Sequence, residues 1–183
     1  MKNYQQRANA LIAKGTQLRN EGRLREAMEA YRKAVALVPA YGSFHFVIGD
    51  MLLQLERHQE AAEAYRAAVE FMPDHDQAWS RLGQCQLLLG AFEQARLSLE
   101  HALALNPQDG KAHYYLAMLD AKTEDHKSAL AHLKTALKLL PHWETPAQQD
   151  PLLKRYFEDP AYRAKLRGKI RWRFWRREKS GGR

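Results

Sequence analysis

The sequence contains very little cysteine and no long apolar run. Cys85 is the only cysteine among 183 residues, so an internal disulfide and a cysteine-based zinc cluster are both excluded. No stretch approaches the roughly 20 apolar residues that a membrane-spanning helix needs, and the first residues lack the apolar core of an export signal. We therefore expect a soluble protein of the cytoplasm, with 45% hydrophobic residues available for its core.

Catalytic and metal-binding motifs are also missing. The sequence has no HExxH, no phosphate-binding loop, no GxSxG and no dinucleotide fingerprint, and its eight histidines form no ligand motif. Cys85 lies within a predicted helix, where a small buried hydrophobe is a better interpretation than a nucleophile. The sequence therefore predicts a protein that is not an enzyme and that uses no cofactor or metal.

Positive charge is concentrated at one end of the chain. Residues 161–183 contain ten basic residues and one acid, Glu178, which gives this segment a formal charge of +9, whereas the whole chain carries +8. Residues 1–160 together carry only −1. A nearly neutral body and a strongly basic tail indicate two parts with separate roles.

The body is organised by a repeat of 34 residues. Pro39, Pro73, Pro107 and Pro141 recur at that interval, which marks an internal repeat. Four more sets of residues keep the same spacing: Ala27, Ala61, Ala95 and Ala129; Ala34, Ala68, Ala102 and Ala136; Tyr31, Tyr65, Leu99 and Leu133; and Gly15, Gly49, Gly83 and Ala117.

Each set has a physical interpretation. Ala27, Tyr31 and Ala34 fall at i, i+4 and i+7, which places them on one helical face. Small alanines let a second helix approach closely, and the large residue fills the gap between repeats. The glycine column predicts a position where a neighbouring backbone passes close by. Because proline cannot extend a helix, each proline is expected to end the second helix of a helical hairpin.

These columns resemble the tetratricopeptide repeat, whose pattern combines an aromatic residue, Leu-Gly, a tyrosine, two alanines around an aromatic residue, and proline. Trp79, Leu82 and Gly83 give the fullest match to its opening. The resemblance implies an all-α fold, a right-handed α-solenoid of four repeats at about residues 8–41, 42–75, 76–109 and 110–143. Gln86 and Asp120 replace the tyrosine of the first helix, and we interpret them as looser packing or a surface role late in the array.

A stacked array leaves its last apolar face open, so residues 142–160 are expected to cap it. The stretch around Pro146 is predicted to be a turn. Asp150-Pro151 and Asp159-Pro160 each predict an N-cap followed by proline at the first helical position. We expect a short helix over 151–158 and a longer basic, aromatic helix from 160 to about 177. The predicted capping contacts are Leu152, Leu153, Tyr156, Phe157, Tyr162 and Leu166.

The resemblance also implies a concave groove lined by the first helix of each repeat. Carried onto this sequence, the groove residues that we select are Asn9, Ile12, Thr16 and Arg19 in repeat 1, Phe46, Asp50 and Leu53 in repeat 2, Gln77, Ser80, Gln84 and Leu87 in repeat 3, and Lys111, Tyr114 and Met118 in repeat 4. The alternative is that some of these side chains contact neighbouring helices or the protein's own tail.

One family specialisation is disfavoured by its residues. Repeats that clamp the acidic C-terminus of heat-shock chaperones carry lysine, asparagine and arginine at five positions. Those positions hold Ile12, Thr16, Val47, Gln77 and Arg81 here, and only Arg81 matches. A desolvated pair of carboxylates needs several donors to offset its lost hydration, so we expect a different partner.

The tail interleaves basic and aromatic residues. Its candidate residues for an anionic partner are Arg167, Lys169, Arg171, Trp172, Arg173, Phe174, Trp175, Arg176 and Arg177. This composition suits an anionic membrane surface, and it equally suits nucleic acid, where aromatic rings stack on unpaired bases. It also suits an acidic protein, self-association, or a capping helix with solvated arginines.

The sequence thus predicts a scaffold or adaptor that binds a protein or peptide segment in its groove and an anionic partner through its tail. Two alternatives remain open. In one, the repeats present the tail to nucleic acid or to the inner face of a membrane. In the other, groove and tail of neighbouring molecules bind each other and the protein forms a homo-oligomer.

Overall fold

The protein, described from residue 2 to residue 167 in a computed structural model, is built from helices joined by short turns. Side chains are described for residues 3–166, and every regular element in that range is helical. The chain divides into two compact units, Met1–Ala112 and His113–Arg183.

Helices alternate along the chain as first and second members of hairpins. The first helices are α1 (Lys2–Asn20), α3 (Gly42–Gln54), α5 (Asp76–Leu88) and α7 (Gly110–Lys122). The second helices are α2 (Leu24–Leu37), α4 (His58–Phe71), α6 (Phe92–Leu105) and α8 (His126–Leu139). A 3₁₀ turn (Pro141–Trp143) and the shorter helices α9 (Glu144–Gln149), α10 (Arg155–Glu158) and α11 (Pro160–Arg167) follow.

In the first unit, each hairpin buries the large residue of its second helix. Tyr31, Tyr65 and Leu99 are 0–1% exposed, and α2 and α4 pack against α3 and α5. The Tyr31 ring meets Phe44 of the next repeat at a centroid distance of 5.3 Å. Burying such a side chain stabilises the fold by about 1.5–3 kcal/mol, so this column is a main part of the core.

The glycine column makes room for the large residue of the second helix. A Cβ added to Gly15 or Gly49 would lie 2.8 or 2.7 Å from the ring of Tyr31 or Tyr65. At Gly83 the nearest atoms belong to the Leu99 side chain, and the backbone oxygen of Ala95 would lie 3.2 Å from the added Cβ. The closest atoms in repeats 1 and 2 therefore belong to an aromatic ring of the same hairpin, and a close neighbouring backbone, as predicted, is seen at Gly83.

The turn inside each hairpin contains one residue in the left-handed region. Gly22 and Gly90 have φ of 76° and 77°, and Glu56 and Glu124 have φ of 57° and 62°. These four residues are again 34 positions apart. The left-handed conformation therefore recurs in every repeat, but the sequence does not show it, because glutamate replaces glycine in repeats 2 and 4.

In the second unit, three of the six predicted capping residues are buried, and the other three, Leu152, Phe157 and Tyr162, are half-buried. Leu153, Tyr156 and Leu166 are at most 2% exposed, and the Tyr156 hydroxyl lies 3.0 Å from Nδ1 of His126. Asp150 Oδ1 accepts hydrogen bonds from the amides of Leu152 and Leu153, at 2.8 and 3.2 Å. Asp159 and Pro160 begin α11 as expected, with the Asp159 carboxylate accepting from an amide of its first turn.

Two details of this segment differ from the sequence prediction. The stretch around Pro146 is helix α9 rather than a turn, because a proline in the first helical turn replaces an amide that needs no partner there. The helix predicted over 151–158 is regular only from Arg155, since Asp150 holds the preceding residues in a capped turn. Moreover, α9 and α11 begin 34 residues after α7 and α8, so the cap keeps the register of a fifth, incomplete repeat.

Candidate protein-binding face

The first helices of the first unit carry a stripe of residues that the hairpins leave accessible. We call this stripe the first-helix face. Its members are exposed or half-buried: Asn9, Ile12, Thr16 and Arg19 on α1; Phe46, Asp50 and Leu53 on α3; and Gln77, Arg81, Gln84 and Leu88 on α5.

Helical geometry separates this face from the core. On α3, Phe46, Asp50 and Leu53 fall at i, i+4 and i+7, and each is half-buried. The intervening Met51 and Leu52 are 3% and 1% exposed, because they point into the hairpin. The same helix therefore supplies both a core face and an accessible face.

A chain of polar contacts runs across repeats 2 and 3 on this face. The Tyr65 hydroxyl donates a hydrogen bond to Asp50 Oδ1 at 2.6 Å. Arg81 Nε lies 3.5 Å from the same oxygen, and Arg81 Nη1 donates to Gln84 Oε1 at 3.1 Å. Asp50 and Arg81, with side chains 35% and 28% exposed, thus form a half-buried ion pair that leaves further donors and acceptors accessible.

The tyrosine of the second helix acts as a hydrogen-bond donor in this network. Burial raises the pKa of the Tyr65 phenol well above its usual value, and the hydrogen bond to Asp50 raises it further. The phenol therefore keeps its proton and donates a hydrogen bond to Asp50. In repeat 1 the same geometry joins the Tyr31 hydroxyl and Thr16 Oγ1 at 3.0 Å.

Apolar side chains flank the polar chain. Ile12, Phe46 and Leu53 are partly buried against the core, and the Phe46 ring lies 5.6 Å from the Tyr65 ring. Leu88, at the end of α5, is 50% exposed. An ion pair bordered by half-exposed hydrophobic side chains is an arrangement suited to another polypeptide.

At the edge of this face, Asn9 and Tyr41 link the first two repeats. The Tyr41 hydroxyl donates to Asn9 Oδ1 at 2.9 Å and accepts a bond from Gln5 Nε2. Arg19 and Gln77 are exposed. The predicted groove residues of repeats 1 and 2 therefore lie on an accessible face, some of them already engaged with their own repeats.

Several residues predicted for the groove are buried instead. Ser80 and Leu87 are 3% and 8% exposed, whereas Arg81, Gln84 and Leu88 of the same helix are half-buried or exposed. In the second unit, Tyr114 is 6% exposed, and its ring packs edge-on against Trp143 at 4.8 Å. Lys111 and Met118 are half-buried. Ser80, Leu87 and Tyr114 are accordingly interior residues.

Arg81 and Leu88 were not among the residues predicted for the groove. Two signals marked Arg81: it is the one match to the chaperone-clamp positions, and it is a charged residue in a column that otherwise holds Ala13, Val47 and Tyr115. No comparable signal marked Leu88.

Gln86 and Asp120 were interpreted as loose or surface residues, and that interpretation was wrong. Both are buried, at 8% and 0% exposed. Gln86 Oε1 accepts from Ser98 Oγ at 2.7 Å, and Asp120 Oδ2 lies 3.9 Å from His132 Nε2. The column that faces these residues on the second helices is Ala30, Ala64, Ser98 and His132. In repeats 3 and 4, a polar residue in the first helix is therefore matched by a polar residue in the second helix.

Cys85 is fully buried, and burial raises the pKa of its thiol to about 12. It therefore packs as a small hydrophobe, as predicted. Within residues 2–167 no group of three or more potential ligands is placed to hold a metal ion, and no helix there is long and apolar enough to cross a membrane. The predicted tail residues lie outside the described side chains.

Comparisons with known proteins agree with this architecture. Two models of the tetratricopeptide repeat match the sequence, over residues 12–73 and 52–119. No curated protein is similar enough in sequence to match. Among solved structures, a crystal structure of MamA protein superposes with a TM-score of 0.76 at 19% identity, covering 91% of this chain and 87% of that one.

Other MamA structures are similar. MamA from Desulfovibrio magneticus RS-1 gives a TM-score of 0.66 at 23% identity, over 75% of this chain and 77% of that chain. MamA AMB-1 gives 0.66 at 25% identity, over 73% of each chain.

The chain belongs to the tetratricopeptide-repeat family, and the all-α repeat fold predicted from its columns is confirmed. Repeats of this family form protein-interaction scaffolds, a typically non-catalytic class. The scaffold class predicted from the sequence is thereby supported.

Proposed function

We propose that the first-helix face of repeats 1–3 binds a segment of a partner protein, with apolar side chains of that segment beside Phe46 and Leu53. The observation that carries this proposal is the half-buried pair of Asp50 and Arg81, bordered by half-exposed hydrophobic side chains. A partly desolvated pair of this kind offers a donor and an acceptor side by side.

The pair also defines the chemistry of the partner segment. Because Asp50 and Arg81 neutralise each other, the face presents no unpaired cation there for an acidic terminus. A peptide amide or a side-chain carboxamide, by contrast, can accept from the arginine and donate to the carboxylate at once. The preferred segment is therefore uncharged where it crosses α3 and α5.

The test uses the partner that co-purifies with the full chain from its native cell, followed by affinity measurements with purified components. We expect Phe46→Ala with Leu53→Ala to weaken binding at least about tenfold, because central apolar contacts dominate interface energies. Arg81→Glu should do the same, since it places two carboxylates side by side.

Glu63→Ala with Leu97→Ala provides the matched control, because both residues are exposed on second helices. These variants should bind normally, and circular dichroism should show equal helicity for all. Unchanged affinity in the first-helix variants, or an equal loss in the control, would contradict the proposal.

We further propose that the +9 segment at residues 161–183 contacts an anionic partner and raises the local concentration of the scaffold there. The supporting observation is its composition, in which Trp172, Phe174 and Trp175 alternate with arginines. Either a cytoplasmic acidic macromolecule or the inner face of a membrane meets this requirement.

This part is tested by comparing the full chain with one lacking residues 168–183. Each is measured against vesicles with anionic lipid, single-stranded RNA, duplex DNA and an acidic polypeptide, at low and high salt. We expect the full chain to bind at least one of them, with salt weakening the complex and the deletion abolishing it. Equal binding by both chains, or no binding in any arm, would refute the role.

Self-association through face and tail is the remaining outcome. It predicts a molecular mass that rises with concentration in sedimentation and falls on deletion of residues 168–183. A constant monomer mass would exclude it.

A further inference from the structure

Repeats 1 and 2 carry similar concave surfaces. The surface of repeat 2 is bordered by a helix of the preceding repeat, and this helix indicates what kind of helix the surface of repeat 1 could bind. In repeat 2, a concave surface on α3 and α4 includes Leu52 and Ala64, and it is bordered by Arg32 and Val35 of α2. In repeat 1, the concave surface on α1 and α2 is formed by Leu11, Leu18 and Ala30 together with charged residues. Leu18 and Ala30 lie 34 positions before Leu52 and Ala64. We call this surface the repeat-1 end face.

In repeat 2, an ion pair holds α2 of the preceding repeat at the edge of the concave surface. Arg32 of α2 lies 3.1 Å from Glu60 and 3.5 Å from Glu29. Glu60 is also bound by Arg57 of its own hairpin at 2.6 Å. Hydrogen bonds from Arg57 and then Arg32 hold the pKa of Glu60 below its usual value. The carboxylate is thus shared between its own repeat and the preceding helix.

Repeat 1 preserves half of this arrangement. Glu26 is the counterpart of Glu60, and Arg23 binds it through two nitrogens at 2.7 and 2.6 Å, as Arg57 binds Glu60. Hydrogen bonding from Arg23, aided by the charge of Lys14, lowers the pKa of Glu26. Within residues 2–167, the residues that line the end face belong to α1 and α2, and none of them supplies an equivalent of Arg32 to Glu26.

Two lysines make the end face differ from its counterpart. Lys14 and Lys33 stand where repeat 2 has Ile48 and Ala67. They keep an uncovered surface hydrated. A helix that covers it must therefore bring carboxylate as well as arginine, because burying ammonium groups without enough negative charge beside them is unfavourable.

We propose that the repeat-1 end face docks an amphipathic helix of a partner protein that carries arginine, an aliphatic residue three positions later, and at least one acidic residue. Arginine reaches Glu26 and Glu29, the aliphatic side chain covers Leu11 and Leu18, and the acid meets Lys14 or Lys33. The site is separate from the first-helix face.

A second copy of this chain does not fit the requirement from its described helices. An arginine followed by an aliphatic residue three positions later occurs on α2 (Arg32, Val35), α4 (Arg66, Val69), α6 (Arg96, Leu99) and α11 (Arg163, Leu166). Of these, α2 already packs on the next repeat, and Val69, Leu99 and Leu166 are at most 6% exposed. The described helices of a second copy therefore do not supply the docked helix, and the occupant that we propose is a helix of a different polypeptide.

The probe is a helix-stabilised synthetic peptide of residues 22–40, which carries Arg32, Val35 and two glutamates. It is titrated into the full, isotope-labelled chain while backbone amide signals are followed. We expect saturable shifts at Leu18 and Ala30 below about 1 mM, the range of a single-helix contact. Glu26→Lys with Glu29→Lys should weaken binding at least about tenfold, because it replaces attraction by repulsion.

Two matched variants make the result decisive. An Arg32→Glu peptide should lose binding to the natural chain and regain it with the Glu26→Lys, Glu29→Lys chain. Glu100→Lys, an exposed change on α6, should leave binding unchanged. The proposal is overturned by absence of shifts at about 1 mM, by shifts confined to the first-helix face, or by dependence on Glu60 instead of Glu26, which would signal displacement of the chain's own α2.

Discussion

Repeats 2 and 3 share helix lengths, turn positions and a glycine in the first helix, yet their interiors differ. In repeat 2, Tyr65 packs on Gly49 and its hydroxyl binds Asp50. In repeat 3, Leu99 takes the place of the tyrosine and has no hydroxyl, and Gln84, the counterpart of Asp50, binds Arg81 instead. Whether the second helix buries a tyrosine or a leucine thus determines which hydrogen bond the accessible residue at position 50 or 84 makes.

The two repeats also differ in a second buried pair. Repeat 2 packs Leu52 opposite Ala64, whereas repeat 3 places Gln86 against Ser98 at 2.7 Å. The same backbone therefore accepts an apolar or a polar pair, provided that both members change together.

The largest effect should come from removing the aromatic column of repeat 2. Tyr65→Ala leaves a cavity beneath Gly49 and should lower the free energy of unfolding by about 3–5 kcal/mol. Tyr65→Phe keeps the ring and loses only the bond to Asp50, which should cost about 1 kcal/mol. Urea denaturation measures both. Equal losses would mean that the hydroxyl, not the ring, holds the repeat.

The glycine column should respond differently in the two repeats. Gly49→Ala places a Cβ 2.7 Å from the rigid Tyr65 ring and should lower the free energy of unfolding by about 1–3 kcal/mol. Gly83→Ala should cost less, because Leu99 can shift and alanine favours the helix by about 1 kcal/mol. Repeat 4 already combines Ala117 with Leu133, both fully buried. A larger loss at position 83 than at 49 would contradict this explanation.

The polar pair of repeat 3 can be converted to that of repeat 2. Ser98→Ala alone removes the donor to the buried Gln86 oxygen and should lower the free energy of unfolding by about 1–2 kcal/mol. Gln86→Leu with Ser98→Ala recreates the apolar pair of repeat 2 and should restore most of that loss. The same denaturation experiment checks this. A double variant as unstable as the single one would show that the two residues are not coupled.

The smallest effect concerns the left-handed turn residue. Glu56 has φ of 57° in repeat 2, where repeat 3 has Gly90 at 77°. Relief of this strain in Glu56→Gly should exceed the entropy lost by glycine and raise the free energy of unfolding by about 0.5–1 kcal/mol. Gly90→Ala should lower it by a similar amount. Thermal unfolding of both variants tests the sign, and a loss of stability in Glu56→Gly would contradict the strain argument.

The sequence was sufficient for the fold because each helix has a repeated physical cause. Prolines end the second helices, alanines permit close packing, and large residues fill the space between hairpins. The short helices after Trp143 were harder to predict. The stretch around Pro146 was predicted to be a turn, although a proline in the first helical turn costs no hydrogen bond, and Asp150 caps a turn rather than a regular helix.

The candidate site was only partly predictable, for a geometric reason. Column positions carry over from repeat to repeat, but burial within a column does not: Ser80 and Leu87 are buried, whereas Phe46 and Leu53, their counterparts in repeat 2, are half-buried. The pairing of Gln86 with Ser98 was visible in principle. It required comparison of two columns on facing helices, whereas each column was considered alone.

The central claim is that a partner segment occupies the first-helix face, and photo-cross-linking tests it most directly. A photoreactive residue is placed in the full chain either at Gln84 on α5 or at Leu97 on α6, which is 68% exposed. The account predicts a discrete product from position 84 that disappears with Phe46→Ala and Leu53→Ala, and little product from position 97. Equal products from both positions, or a product at 84 that survives those substitutions, would contradict it.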